Sequence, residues 1–146
     1  MPNQHRLTIV GVDGWPAADR ALAWALDLAG QTGATVEVIT AWSRDGIPSA
    51  SGASSVADER ERAANVQSAT VERALSGRPA SPVVSMQVID GSPGEVLVDA
   101  SRRADLLVLG SHGHRRAYDV TVGSTSDHCL RNAHCPVVVI PVPVFD

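Results

Sequence analysis

The chain has 146 residues, 44% of them apolar and 19% charged, a length that suits one domain with a core of its own. Its 12 basic residues are all arginine, which excludes a P-loop lysine, a kinase-type phosphate lysine and a Schiff-base lysine. A net charge of −4 and few aromatics (3 Trp, 1 Tyr, 1 Phe) argue against nucleic-acid binding, whether by a basic surface or by base stacking.

Residues 6–12 (RLTIVGV) open the chain pattern as a strand, rich in β-branched residues. Residues 17–32 follow as a helix, with Ala18, Leu22, Ala25, Leu26 and Ala29 on one face and Gly33 as a left-handed stop. A second strand covers 35–41. The stretch 43–56, rich in Ser, Ala and Gly, is expected to be a loop, with the character of a lid. Residues 57–76 then read as a surface helix, whose charges at 58–62 face water. A third strand covers 83–89. Ser92, Pro93 and Glu95 mark a helix start, with Ser at the N-cap, and that helix is expected to reach Arg103. A fourth strand covers 105–110, a last helix begins near Ser124, and a fifth strand covers 136–142.

Several of these strands are nearly continuous in apolar residues, the signature of parallel strands covered on both faces. Strands alternating with helices imply an α/β fold on a parallel sheet with right-handed crossovers. No internal repeat or linker divides residues 1–146, so one domain is expected. Residues 136–145 are too few to span a membrane and are broken by proline. The first residues lack the apolar stretch and cleavage site of a signal peptide. Two cysteines do not make a disulfide scaffold. A cytoplasmic protein is the expectation.

In an open parallel sheet, ligands bind beyond the carboxyl ends of the strands, where the strand order reverses. The residues there are Gly11, Val12 and Asp13 after the first strand, Ala41 after the second, and Gly110 after the fourth. Gly110-x2-Gly113 opens a loop that closes, after nine further residues, at Gly123-Ser124-Thr125, where the last helix begins. Glycines permit close backbone approach and positive φ, and a helix N-terminus offers free N–H groups to phosphate. The hydroxyls of Ser124, Thr125 and Ser126 would add donors, so a polyphosphate could be cradled without lysine.

At these residues the chain resembles the nucleotide-binding branch of the universal stress protein family. That branch is marked by G-x2-G-x9-G-(S/T), here Gly110, Gly113, Gly123 and Ser124. IVGVDG-x-P, GSPGEVLVDASRRADLLVLGSHG and GSTSDHCLRNAHCPVVVIP are similar to the family's first strand and turn, third crossover, and closing helix and strand. The resemblance implies a five-stranded parallel sheet in the order 3-2-1-4-5 between four helices. It also implies a homodimer through the last strands, and ATP at the carboxyl end of the sheet, with magnesium as its companion and cyclic AMP as the alternative ligand. Asp13 would face the adenosine, Ala41 would meet adenine through its backbone, and Gly11 and Val12 would line the floor. Gly110, Gly113, Gly123, Ser124 and Thr125 would surround ribose and phosphates. The chain departs from the family at Trp15, where Ser is usual, at Asp119, where Gly is common, and at Thr121, which replaces an apolar residue.

The implied function is a dimeric stress-response regulator whose bound nucleotide modulates contacts with an unidentified protein partner. A slow ATP hydrolase and a nucleotide-free interaction module are the alternatives. Arg115 and Arg116 read as a solvated basic loop. His112, His114, His128 and His134, with Cys129 and Cys135, match no zinc spacing. A redox pair of Cys129 and Cys135 would need a lowered thiol pKa.

Overall fold

The computed structural model describes residues 6–43, 52–78, 82–111 and 123–141. Within them the order is β1 (Leu7–Gly11), α1 (Pro16–Thr32), β2 (Thr35–Trp42), α2 (Gly52–Leu75), β3 (Val84–Asp90), α3 (Pro93–Ser101), β4 (Leu106–Gly110), α4 (Ser124–Asn132) and β5 (Val137–Ile140). The five strands form one sheet in the order β3-β2-β1-β4-β5, and every pairing is parallel.

Successive side chains on a strand point to opposite faces, and this alternation builds two cores. Val10, Val36, Val38 and Val108 face one side and pack with Leu22, Ala25 and Leu26 of α1 and Val71 of α2. Ile9, Ile39, Leu107 and Leu109 face the other side and pack with Leu97 and Ala100 of α3 and Cys129 of α4. Apolar residues at consecutive strand positions therefore serve different layers, which is why the strands read as unbroken apolar runs.

Helix α1 begins at Pro16, whose fixed φ suits the first helical position and whose missing N–H costs nothing there. It ends at Gly33, where φ is 77° and the N–H bonds the Ala29 carbonyl at 2.8 Å. Its buried face carries mostly alanine, which lets the helix axis lie close to the sheet.

Three expectations change. Helix α2 starts at Gly52, so the segment 43–56 is helical over its last residues; its residues 44–51 lie outside those described. Ser92 stands at the N-cap of α3 but makes no side-chain cap bond, and α3 ends at Ser101 rather than Arg103. The next residues tighten instead, the N–H of Arg103 bonding the carbonyl of Ala100 at 3.2 Å. Finally, β3 is an edge strand and is not covered on both faces: Met86 is 48% exposed.

One charge is buried in the sheet. Glu37 on β2 is nearly inaccessible. Arg103 reaches it in a two-pronged pair, with Nη1 to Oε1 at 2.8 Å and Nη2 to Oε2, and Gln87 of β3 donates to Oε2 at 2.9 Å. Removing the partner of a buried carboxylate leaves its desolvation uncompensated. Arg103→Leu is expected to lower unfolding free energy by about 2–4 kcal/mol, less than for a wholly buried pair because Arg103 is half exposed. Urea denaturation measures this. A loss under about 0.5 kcal/mol, as for a surface pair, would contradict it.

Candidate functional site

The order of the sheet reverses direction at β1, which lies between β2 and β4. The connections from β1 run to α1 and β2 on one side, and later to β4 on the other. Beyond the carboxyl ends of these strands lies a cleft of about 290 Å³, at the small end of small-molecule sites.

Gly11, Val12, Asp13, Ala41, Gly110, Gly123, Ser124 and Thr125 all line this cleft. The ninth expected residue, Gly113, lies outside the described residues, as do His112, His114, Arg115, Arg116, Asp119 and Thr121.

The glycines act through the absence of a side chain. A Cβ on Gly110 would stand 2.4 Å from the Ala17 carbonyl carbon, a clash with backbone that nothing can relieve cheaply. The first turn of α1 therefore sits directly on the end of β4. A Cβ on Gly11 would meet side-chain tips of Leu109 at 2.8 Å and Leu97 at 2.9 Å, so this glycine keeps the floor open. Positive φ, by contrast, is not what Gly110 and Gly123 supply. Among the described glycines it occurs at Gly14, Gly33, Gly77 and Gly91, and the φ of Gly123 is −60°.

Asp13 carries two functions. Its Oδ1 accepts the N–H of Trp15 at 3.0 Å, which shapes the turn into α1, and the residue lines the cleft while remaining exposed. Ala41 continues β2 past the last residue of β1. The Ile39 carbonyl accepts the N–H of Val12 at 3.0 Å, and period-two geometry turns the Ala41 carbonyl the same way, beyond the end of β1. Its main-chain groups thus face the cleft.

Helix α4 begins at the cleft. Gly123 is its N-cap and provides no side-chain cap, so the first-turn N–H groups have no protein hydroxyl or carboxylate from that position. Ser124 and Thr125 add hydroxyls. Ser126 does not: it is buried, and its hydroxyl donates to the Gly110 carbonyl at 3.2 Å. It straps α4 to β4 rather than serving as the third donor expected. Helices α1 and α3 also begin beside the cleft, at Pro16 and Pro93, again without side-chain caps. Three helix N-termini converge on a lining whose described residues include no Lys, Arg or His. Each N-terminus carries about half a positive charge, so the cleft suits an anion.

Trp15, Ala17, Ile39, Pro93, Leu97 and Leu109 also line the cleft, and sequence reasoning did not assign them to the site. Leu97 and Pro93 reach it through the N-terminal half of α3, a helix whose start was legible but whose neighbour was not. Among the described residues, no group of three or more His, Cys, Asp or Glu could hold a metal. No helix among them is long and apolar enough to cross a membrane.

Cys129 lies on the buried face of α4, and Cys135, partly buried, packs against the same core just after the helix. Cys129 is fully buried, and burial, followed by the neighbouring Cys135, pushes its thiol up to about 11. Burial also raises Cys135, with Asp105 adding to it. Both shifts run opposite to what a redox thiol needs. The folded state holds the neutral thiol, so this contribution to stability is complete below the ordinary value of 9.0 and is lost as pH rises through about 11. The thermal midpoint of the native chain is expected to fall more steeply between those values than that of Cys129→Ala. Parallel curves would contradict the assignment.

The family model described as "Universal stress protein family" matches residues 6–141. A universal stress protein of Mycobacterium tuberculosis is 32% identical over 138 residues, covering 93% of this chain and 45% of that protein. The chain thus spans about half the length of the curated relatives it matches. A solved structure of a universal stress family protein from Burkholderia pseudomallei aligns with a TM-score of 0.72 at 25% identity, covering 97% of this chain and 100% of that one. A universal stress protein solved in complex with cAMP aligns with a TM-score of 0.61 at 20% identity, covering 94% and 97%. Two more distant neighbours were solved with dAMP (Archaeoglobus fulgidus) and with AMP (Arabidopsis thaliana), at TM-scores of 0.57 and 0.58.

Proposed function

The chain belongs to the universal stress protein family, and on that premise we propose that it binds an adenine nucleotide, ATP, in the cleft between β1 and β4. The observation that carries this reading is the uncapped N-terminus of α4, which opens beside Gly110 at the point where the sheet reverses. Phosphates would lie against the first turn of α4, accepting from its N–H groups and from the hydroxyls of Ser124 and Thr125. The base would lie at the apolar end, over Ala41 and Leu97. The neighbours solved with cAMP, dAMP and AMP support a nucleotide in this fold. A magnesium ion would arrive on the phosphates, since the described residues offer no acidic cage.

Binding rather than turnover is proposed. Asp13 is the one titratable side chain among the described lining residues, and one of its oxygens already holds the turn. The regulatory part of the proposal is that nucleotide occupancy changes a surface read by a protein partner in the cytoplasm. A homodimer through β5 fits this reading. That strand is a sheet edge of four β-branched residues, all partly exposed and none charged, and such an edge invites cover.

The first test is to purify the protein gently, denature it and identify released nucleotide by mass spectrometry. ATP near one per chain is expected. Cyclic AMP would reassign the ligand, and an empty site with a flat titration at millimolar ATP would remove the proposal. A second test separates helix stability from binding. Ser124→Asp places a carboxylate in the first turn of α4, which favours the helix by about 0.3–1 kcal/mol. The same charge opposes phosphate. The variant is expected to melt no lower than the native chain while ATP binding weakens at least about tenfold, a change of roughly 1.4 kcal/mol. Unchanged affinity would move the phosphates elsewhere.

A further inference from the structure

We propose that Trp15 is a specificity-determining residue of the cleft: its indole stacks on the planar base of the bound nucleotide, so the site selects base-bearing ligands over bare polyphosphate. This inference rests on the nucleotide reading above and assigns a role that the glycine motif does not.

Three observations carry it. First, Trp15 is the one aromatic residue among the described residues that line the cleft; the others are aliphatic, small or hydroxyl-bearing, apart from the carboxylate of Asp13. Stacking needs a flat π surface, and Trp15 is the described lining residue that carries one. Second, the indole is 47% exposed. It stands at the N-cap of α1 but supplies no side-chain cap bond to the helix, so the helix gives no reason for a large ring at that place. Ordinary N-caps are small polar residues. A half-exposed tryptophan at a cleft mouth gains by covering a ligand's apolar face.

Third, the backbone that presents the indole is fixed on both sides. The N–H of Trp15 bonds Asp13 Oδ1 at 3.0 Å, and its carbonyl accepts the N–H of Ala18 at 2.9 Å. Gly14 before it has φ of 89°, and a Cβ there would strike Val66 of α2 at 2.8 Å, so the turn is seated against that helix. Pro16 after it locks the chain into α1. A ring held by a rigid turn loses little conformational freedom when a ligand stacks on it. Trp15, Ala41 and Leu97 line the same cleft of about 290 Å³, so one bound base can meet all three.

The test measures ATP, AMP, cyclic AMP and inorganic tripolyphosphate by calorimetry on the native chain, Trp15→Phe and Trp15→Ala. Tripolyphosphate carries the anionic end of the ligand without the base. Trp15→Ala is expected to lose about tenfold to a hundredfold in affinity for the preferred nucleotide, the range for removing one base-stacking ring. Its affinity for tripolyphosphate should match that of the native chain. Trp15→Phe should retain affinity to within about threefold, since a smaller ring still stacks. Nucleotide should also quench tryptophan emission in the native chain, and that part of the quench should vanish in Trp15→Phe, where Trp24 and Trp42 remain as internal controls. If the native chain binds nucleotide and Trp15→Ala binds it equally well, the stacking role is overturned and the nucleotide reading stands. An equal loss for nucleotide and tripolyphosphate assigns Trp15 a structural role and also overturns it. If the native chain binds none of the nucleotides, the reading of the cleft falls, and this inference with it.

Discussion

The site depends on a contact that contains no side chain. Gly110 ends β4, and the main chain of Ala17 lies where its Cβ would be. Its carbonyl accepts the hydroxyl of Ser126 from α4. One residue thus fixes β4, α1 and α4 against each other. A β-carbon would push α1 off the sheet or displace the strand, and either shift would move two of the three helix N-termini that face the cleft. Close packing transmits such a displacement rather than absorbing it. The glycine is required for approach, and its φ does not lie in the left-handed region.

From that contact follows an anion site built without a cation. A helix N-terminus favours a nearby anion by about 0.3–1 kcal/mol when exposed and by more when partly buried. Three of them beside one cleft can match what a single surface lysine would supply. They also do something a lysine cannot: their N–H groups are fixed by the helices, so no side-chain entropy is lost on binding. Asp13 opposes the same field from the floor, which separates the two ends of the ligand. In the proposed complex, negative charge would gather toward α4, leaving the Ala41 and Leu97 end for an uncharged group.

Much of this was legible in the residues. Unbroken apolar runs located the strands, because each strand must feed two apolar layers; helical periodicity located α1 and α2, and start signals located α3 and α4. The helix end at Gly33 was readable because a left-handed residue there is nearly always glycine. What could not be read depends on partners distant in sequence. Ser126 looks like Ser124 and Thr125 as a string of hydroxyls, yet one turn of helix aims it at Gly110 and spends its proton. Cys129 and Cys135 look like a switch until burial raises both thiols. The start of α2 at Gly52 was missed because Gly, Ala and Ser are common loop residues. Glu37 reads as an ordinary polar residue between two valines; only the fold brings Arg103 and Gln87 to it.

The two ends of the sheet solve opposite problems. At the amino end, side chains close polar groups: Asp105 accepts the N–H of Leu7 at 2.8 Å, and one strand away Arg103 pairs with Glu37 while Gln87 donates to it. At the carboxyl end the same kind of group is left open. Gly123, Trp15 and Ser92 occupy the N-caps of α4, α1 and α3, and none supplies a capping side chain. A missing cap costs a helix about 1 kcal/mol, and only a few tenths where the N-cap is glycine, as at Gly123. Three helices without a capping side chain at one end of the sheet are a concentrated cost, and it falls beside the cleft. Strain and unmet polar groups gather at functional sites for this reason. The Glu37 pair and the cleft thus lie at opposite ends of the same strands, about a strand length apart, so substitutions at one end should act nearly independently of those at the other.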